Sequence, residues 1–314
     1  MAAQHARLDA ELVRRGLARS RQRAAELVSE GRVRVSGEVV SKPSRPVFAE
    51  EPLEIEEAAG AQYVSRGARK LNGALDALAL LTPDPPRIDG AWCLDAGAST
   101  GGFTQVLLER GAAHVHAVDV GRGPMDAQIS ADPRVTAREA TNVRDLTVED
   151  LPAQPVLVVA DLSFISLTVV TGILVGLAAP GGHLLLMVKP QFEVGRGRLG
   201  SRGVVTSPAL RQEAVLGVAR SARQSGARVR AVVPSPLPGP SGNHEYFLWL
   251  TAPGGASGAS AAATDAATDP ADAAPDLVEA VRRAVVDDLP TLVSPTDRPA
   301  DGSPRRSDVP GRTS

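Results

Sequence analysis

A doubly wound α/β fold, built on a mostly parallel seven-stranded sheet and preceded by a small α+β domain, is predicted by three features of this sequence. Between residues 63 and 250, apolar strand-like runs alternate with helical patterns, the mark of parallel strands joined by crossover helices. One such run, Ala91–Leu94, enters a glycine-rich turn, LDAGASTGGF, that opens a helix. Ahead of both, residues 6–58 hold helix and hairpin signals in a short basic stretch.

The elements follow in order. Arg7–Leu17 has helical periodicity, with Leu8, Leu12 and Val13 on one face and Gly16 as its stop. Ser20 is a good N-cap for a second helix, Arg21–Ser29, which turns Ala24, Ala25, Leu27 and Val28 inward and ends at Gly31. Arg32–Val35 and Glu38–Val40 read as a hairpin around Ser36-Gly37, and Pro43 and Pro46 lead to a short strand, Leu53–Ile55. A linker over 59–62 separates this domain, 6–58, from the second, 63–252. There the predicted strands are 91–95, 114–118, 133–136, 156–160, 183–188, 227–233 and 245–250. The predicted helices are 68–80, 102–110, 124–130, 166–178 and 207–225. The last strand follows a Pro-rich loop, 234–240, and is expected to enter antiparallel. From 253 to 314, Ala, Gly, Asp, Thr, Ser and Pro dominate, a composition that cannot bury a core, so this tail is predicted to be disordered. A transient helix over Asp276–Leu289 is the exception.

Charge narrows the partners. The formal net charge is only −2, but residues 1–45 carry ten Arg/Lys against five Asp/Glu, and the last 64 residues carry six against ten. A basic N-terminal face suits a polyanion. The single cysteine, Cys93, lies within a strand and excludes a disulfide framework or a cysteine zinc cluster; no metal site is expected. No secretion signal is visible, and the longest apolar stretch, Leu167–Ala179, falls short of the roughly 20 residues of a membrane span. A cytoplasmic protein without membrane contact is therefore expected.

The glycine turn suggests a nucleoside ligand. Its glycines read G-x-x-x-G-G, with Ser99 where a dinucleotide fingerprint would carry its middle glycine, and no phosphate-binding P-loop is present. Asp119, at the end of the next strand, can accept hydrogen bonds from ribose hydroxyls. Asp95, Gly97, Ala98, Ser99, Thr100, Gly101, Gly102 and Phe103, together with Asp119, are thus predicted to bind S-adenosylmethionine. A tight turn with no ligand is the plainer reading, against which Asp119 in register weighs.

Four charges fall at helix or strand ends on the same side as the glycine turn: Lys70 in SRGARKL, Asp161 after VLVVA, Lys189 after LLLMV and Glu245 in GNHEYF. An apolar strand that delivers a lone charge is costly, and pairing the two carboxylates with the two lysines satisfies all four. The alternative is two ordinary ion pairs at a sheet edge. The chemistry such a set suits is methyl transfer to a hydroxyl. Lys189 would hold the hydroxyl and, if desolvated, take its proton; Asp161 and Glu245 would orient it; Lys70 would place the ribose or a phosphate. Amino-group methylation is disfavoured because Asp161-Leu-Ser-Phe164 stands where an N/D-P-P-Y/F loop would, and attack at pyrimidine carbon because Cys93 is misplaced. Phe164 and Phe192 are candidates for base stacking or for core; His244 is a possible partner of Glu245; of His114 and His116 at least one is expected to be packing only.

Two resemblances then enter. The run RLDAELVRRGLARSRQRAAELVSEGRVRVSGEVVSKPSRPV resembles the alpha-L RNA-binding motif of a small-subunit ribosomal protein, pseudouridine synthases and tyrosyl-tRNA synthetase. The resemblance implies structured RNA, not DNA, as partner, with Arg7, Arg19, Ser20, Arg21, Arg23, Arg32 and Arg34 on the binding face. From about Arg7 to Leu250 the chain resembles the TlyA family, also called hemolysin-like, in which that motif precedes an FtsJ/RrmJ-type methyltransferase domain. The motifs are YVSRGARKL, LDAGASTGGFT, VDVG, ADLSFIS, VKPQFEVG and GNHEYF. This resemblance implies a Rossmann-like methyltransferase sheet, a catalytic tetrad at Lys70, Asp161, Lys189 and Glu245, and 2′-O-methylation of cytidine in ribosomal RNA, on ribosomes or their subunits. The rivals are a membrane-acting toxin and an inert RNA-binding assembly factor.

Overall fold

The computed structural model describes residues 5–18, 21–29, 31–55, 63–123, 125–200, 203–239, 241–254 and 275–293. The predicted linker, 59–62, lies outside them.

The N-terminal unit runs β1 (His5–Arg7), α1 (Leu8–Arg14), α2 (Arg21–Ser29), β2 (Val33–Val35), β3 (Glu38–Val39), β4 (Pro46–Phe48) and β5 (Leu53–Ile55). Its helices meet over Leu8, Leu12, Ala24, Leu27 and Val28, which pack on Val33, Val35, Val40 and Val47. Ser36 (φ 52°) and Gly37 (φ 84°) both take the left-handed region, as the two-residue turn between β2 and β3 requires. The pairing of β1 with β4 was not expected, because strands of three residues are too short to show an alternation.

The second unit follows as α3 (Arg66–Leu81), β6 (Trp92–Ala96), α4 (Gly102–Glu109), β7 (His114–Val118), α5 (Ala127–Ser130), β8 (Val135–Arg138), β9 (Leu157–Ala160), α6 (Leu167–Leu177), β10 (His183–Val188), α7 (Pro190–Glu193), α8 (Pro208–Gln224), β11 (Arg228–Pro234), β12 (Tyr246–Thr251), α9 (Pro275–Val286) and β13 (Thr291–Leu292). One sheet has the order β13-β11-β12-β10-β9-β6-β7-β8. β6 to β10 pair in parallel, and β12 runs antiparallel between β10 and β11, as expected. The central strands β9, β10 and β12 are buried on both faces, so they read as continuous apolar runs. α3, α4 and α5 cover one face; α6, α8 and α9 cover the other.

Two expectations are corrected. The sheet has eight strands, because β13 adds to its edge at Ala231↔Leu292 and Val232↔Thr291. The tail is not disordered over 275–293, nor is its helix transient. α9 buries Leu277, Ala280, Val281, Ala284 and Val285, and packs on α8 and β11. That helical spacing is diluted by the low-complexity residues around it, so composition hides it. Among the described residues, no helix is long and apolar enough to cross a membrane.

Strand order reverses direction of growth between β6 and β9, the position where an open α/β sheet leaves a crevice at its carboxyl edge.

Candidate active site

The crevice is a cavity of about 1010 Å³. Its floor is the turn from β6 to α4. Gly97 (φ 86°) and Gly101 (φ 92°) are left-handed, and so is Ser99 (φ 47°), which stands in for the missing middle glycine. A Cβ on Gly97 would lie 2.6 Å from the Asp161 carbonyl oxygen, and one on Gly102 would collide with Ser65 Oγ. The turn is thus pressed against the loop that follows β9. Gly97, Ala98, Ser99, Thr100, Gly102, Phe103 and Asp119 line the cavity.

Asp119 is held by two loops: Ser99 N donates to Oδ2 at 2.8 Å and Gly121 N to Oδ1 at 2.6 Å. Each oxygen keeps a second lone pair for a ligand hydroxyl. Asp95 and Gly101 stand behind the wall rather than on it. Asp95 is fully buried; Thr104 Oγ1 donates to its Oδ2 at 2.7 Å, and Oδ1 has no partner among the described residues. Burial, with Asp161 and Asp119 nearby, pushes its carboxyl up to about 7.

The four predicted charges form two pairs, and all four line the same cavity. Lys70 Nζ lies 2.5 Å from Glu245 Oε2, with side-chain exposures of 7% and 1%. Lys189 Nζ lies 2.6 Å from Asp161 Oδ1, a charge contact without hydrogen-bond alignment, and donates to Ser163 Oγ at 2.8 Å. Gly239 faces Glu245: a Cβ there would be 2.5 Å from Glu245 Oε1, so only glycine leaves the carboxylate its place. The loop ahead of Glu245 is tied down at Arg66, which donates to the Pro238 carbonyl at 3.0 Å, and at buried Asn243, which accepts from Val205 N at 2.9 Å and donates to Gly203 O at 3.0 Å.

On the N-terminal unit, buried Asp9 gathers two exposed arginines. Arg7 pairs with it at 2.9 Å and Arg21 at 3.2 Å, and the Arg7 hydrogen bond holds its carboxyl below the usual range. Arg34 donates to Gly37 O at 2.9 Å. Arg19, Ser20 and the Arg23 side chain lie outside the described residues. Ala25 and Pro43 of this unit contribute to the cavity lining.

Residues 63–252 match the FtsJ-like methyltransferase family, and residues 6–51 match the S4 domain. The 16S/23S rRNA (cytidine-2′-O)-methyltransferase TlyA of Mycobacterium tuberculosis is 54% identical over 248 residues, covering 79% of this chain and 90% of that one. This chain belongs to the FtsJ-like methyltransferase family. Hemolysin A of Brachyspira hyodysenteriae is 31% identical over 241 residues, 76% of this chain and 97% of that one. Among solved structures, a candidate hemolysin from Streptococcus thermophilus superposes with a TM-score of 0.64 at 30% identity, covering 90% of this chain and 96% of that chain.

S-adenosylmethionine is the methyl donor of an FtsJ-like methyltransferase, and the cavity fits it: a lining of small residues from Gly97 to Gly102, and a carboxylate with open lone pairs at Asp119. The volume also exceeds what one such ligand needs, leaving room for an acceptor. Phe164 is not core. It is 92% exposed at φ 64°, and its ring lies 5.3 Å from that of Phe192 at the cavity edge. His244 is exposed and is not the partner of Glu245, which pairs with Lys70. His114 stacks on Trp92 at 4.5 Å, and His116 is buried with neither ring nitrogen partnered among the described residues. Burial pushes the Cys93 thiol up to about 12, so it is no nucleophile. Among the described residues, no cluster of His, Cys, Asp or Glu could hold a metal. Sequence reasoning missed Ser163 and Asn243. Ser163 had a signal, since it stands two residues after Asp161; Asn243 had none, because its partners are about 40 residues away.

Proposed function

We propose that this protein transfers a methyl group from S-adenosylmethionine to the 2′-hydroxyl of a cytidine in ribosomal RNA, with Lys70, Asp161, Lys189 and Glu245 as the working residues. The observation that carries the reading is that both Lys–carboxylate pairs face the same cavity as the glycine turn. When bound, S-adenosylmethionine supplies a methyl group already electrophilic on its sulfonium. The protein must therefore place an oxygen in line and manage its proton.

Lys189 is suited to hold that oxygen. Its ammonium is mostly buried, is kept in place by Asp161 and Ser163, and can stabilise the negative charge that develops on the attacking atom. Asp161, the more exposed carboxylate of the two, is able to accept the proton that the hydroxyl loses. Lys70, fixed by Glu245, offers its remaining N–H groups to the ribose or a neighbouring phosphate. Asp119 and the loop 97–103 would hold the donor, with Asp95 bracing the turn from behind through Thr104. Phe164 and Phe192 would stack on the acceptor base.

The choice of RNA rests on two independent features. A 2′-hydroxyl exists in RNA and not in DNA. The N-terminal unit, proposed as a domain over 6–58, would supply phosphate contacts through Arg7, Arg19, Ser20, Arg21, Arg23, Arg32 and Arg34. The catalytic domain would span 63–252, and the work would be done in the cytoplasm, where ribosomes are. Purified protein is mixed with labelled S-adenosylmethionine and ribosomal subunits. Label is expected in rRNA at a 2′-oxygen of cytidine, and it is expected to vanish with Lys189→Ala. Label on a base, or undiminished label in the variant, would overturn the assignment.

A further inference from the structure

The loops that carry Asp161 and Lys189 leave neighbouring parallel strands, β9 and β10, and each runs into a helix. Their near ends are joined by Lys189 itself. Their far ends are joined as well, by a residue outside the cavity lining. Glu193 closes α7, four residues after Lys189, and its carboxylate caps the start of α6. Ser166 Oγ donates to Glu193 Oε2 at 2.5 Å, and Leu167 N donates to Oε1 at 2.8 Å. Ser166 is at the same time the N-cap of α6, accepting from Thr168 N. Unpaired N–H groups at a helix start favour a negative group. Here that group comes from another loop rather than from the helix's own cap. Burial raises the Glu193 carboxyl from its ordinary value, so it is held in a site that costs something to charge.

We infer that Glu193 is a positioning residue for the methyl transfer: by clasping Ser166 and Leu167 it fixes the spacing between the Asp161–Ser163 loop and Lys189. The inference rests on the proposed function. The segment between the two ties, 161–166 on one side and 189–193 on the other, is short, so moving one end moves the other. It includes Phe164 in its strained left-handed conformation, packed against Phe192, the residue before Glu193. A loop held at one end only would let Asp161, Ser163 and the Phe164 ring drift relative to Lys189. Methyl transfer needs in-line geometry, and a displacement of about 1 Å can cost roughly a hundredfold in rate. The donor floor touches the clasped loop at the Asp161 backbone, which the sheet holds independently of Glu193, Asp161 N donating to Ala96 O at 3.0 Å. The floor is built from β6, β7 and α4, and Asp119 is held by Ser99 and Gly121.

Glu193→Ala, Glu193→Asp and Glu193→Gln are compared with the intact protein on ribosomal subunits, with donor affinity measured separately by calorimetry. Glu193→Ala is expected to lose 10- to 100-fold in kcat, with donor Kd and rRNA KM within about twofold of wild type. Glutamine keeps an acceptor of the right reach and is expected to restore kcat to within about threefold. Aspartate keeps the charge but is one methylene short, and is expected to stay low. Should alanine fail to fold, the contrast between glutamine and aspartate carries the test. Wild-type kcat in both alanine and aspartate variants, or a loss confined to donor Kd, would overturn the inference. Failure of the proposed function itself looks different: the wild-type protein then leaves no label in rRNA.

Discussion

Lys70 and Lys189 each pair with a carboxylate, but their surroundings differ, and so do the consequences of breaking each pair. The Lys70–Glu245 pair is almost dry, while Asp161 is 24% exposed and Lys189 keeps Ser163 as a second partner. Glu245→Ala would strand a buried ammonium, at a cost of about 3–5 kcal/mol. Asp161→Ala leaves Lys189, itself only 11% exposed, with the Ser163 hydroxyl as partner, and should cost less than Glu245→Ala while abolishing methyl transfer. Thermal melts read beside label incorporation separate the two, and equal losses of Tm would contradict the difference in burial. Asp95 adds a pH dependence. Its carboxyl is pushed from 3.8 up to about 7, so the folded chain binds this proton more tightly than the unfolded one. Its contribution is therefore complete below about 3.8 and is lost as pH rises through about 7. Asp95→Asn still offers an acceptor to Thr104. Its Tm, relative to wild type, should improve by several degrees between pH 5 and pH 8 in the donor-free protein. Parallel Tm curves would show that Asp95 is ionised in the fold at little cost.

At the scale of elements, the turn from β6 to α4 and the helix α9 test opposite kinds of legibility. The turn was readable because glycine has a physical job there. Gly97→Ala must put a Cβ against the Asp161 carbonyl and strain a φ of 86°, so it should weaken donor binding and transfer by roughly a hundredfold, measured as donor Kd and kcat/KM. A variant with native Kd would mean that the two loops can part freely. Seven of the eight strands of the main sheet were readable to within two residues, the central ones because fully buried parallel strands are uninterrupted apolar runs; β13, two residues long, was not. The helix α9 was legible but its docking was not, because composition averages over its neighbours, whereas burial follows only Leu277, Val281, Ala284 and Val285. Leu277→Ala is expected to lower stability by about 2–4 kcal/mol, as for a filled core position, with methyl transfer unchanged at a temperature where the protein is folded. A cost under about 0.5 kcal/mol would mean that α9 detaches readily. The meeting of four charges at one cavity was legible because charges at strand ends are expensive. Glu193 and Asn243 were not, because they act on backbone groups of distant loops, and no spacing in the sequence marks such a contact.

For the whole molecule, the question is how a chain of formal net charge −2 captures a polyanion. The attraction has to be local. Ten Arg/Lys stand against five Asp/Glu in residues 1–45, and buried Asp9 spends one of the acids on holding Arg7 and Arg21 in a fixed direction. The methyltransferase half, by contrast, has both lysines of its cavity paired with carboxylates. Affinity and chemistry should therefore separate along the chain. Replacing Arg21 and Arg34 together by alanine should raise KM for ribosomal RNA and leave kcat at saturating RNA within about twofold. Each lost phosphate contact should also flatten the plot of log affinity against log salt by about 0.7–0.9. A double variant that lowers kcat instead would mean that the N-terminal unit shapes the active cavity, to whose lining Ala25 and Pro43 contribute, and that binding and catalysis in this protein are one event rather than two.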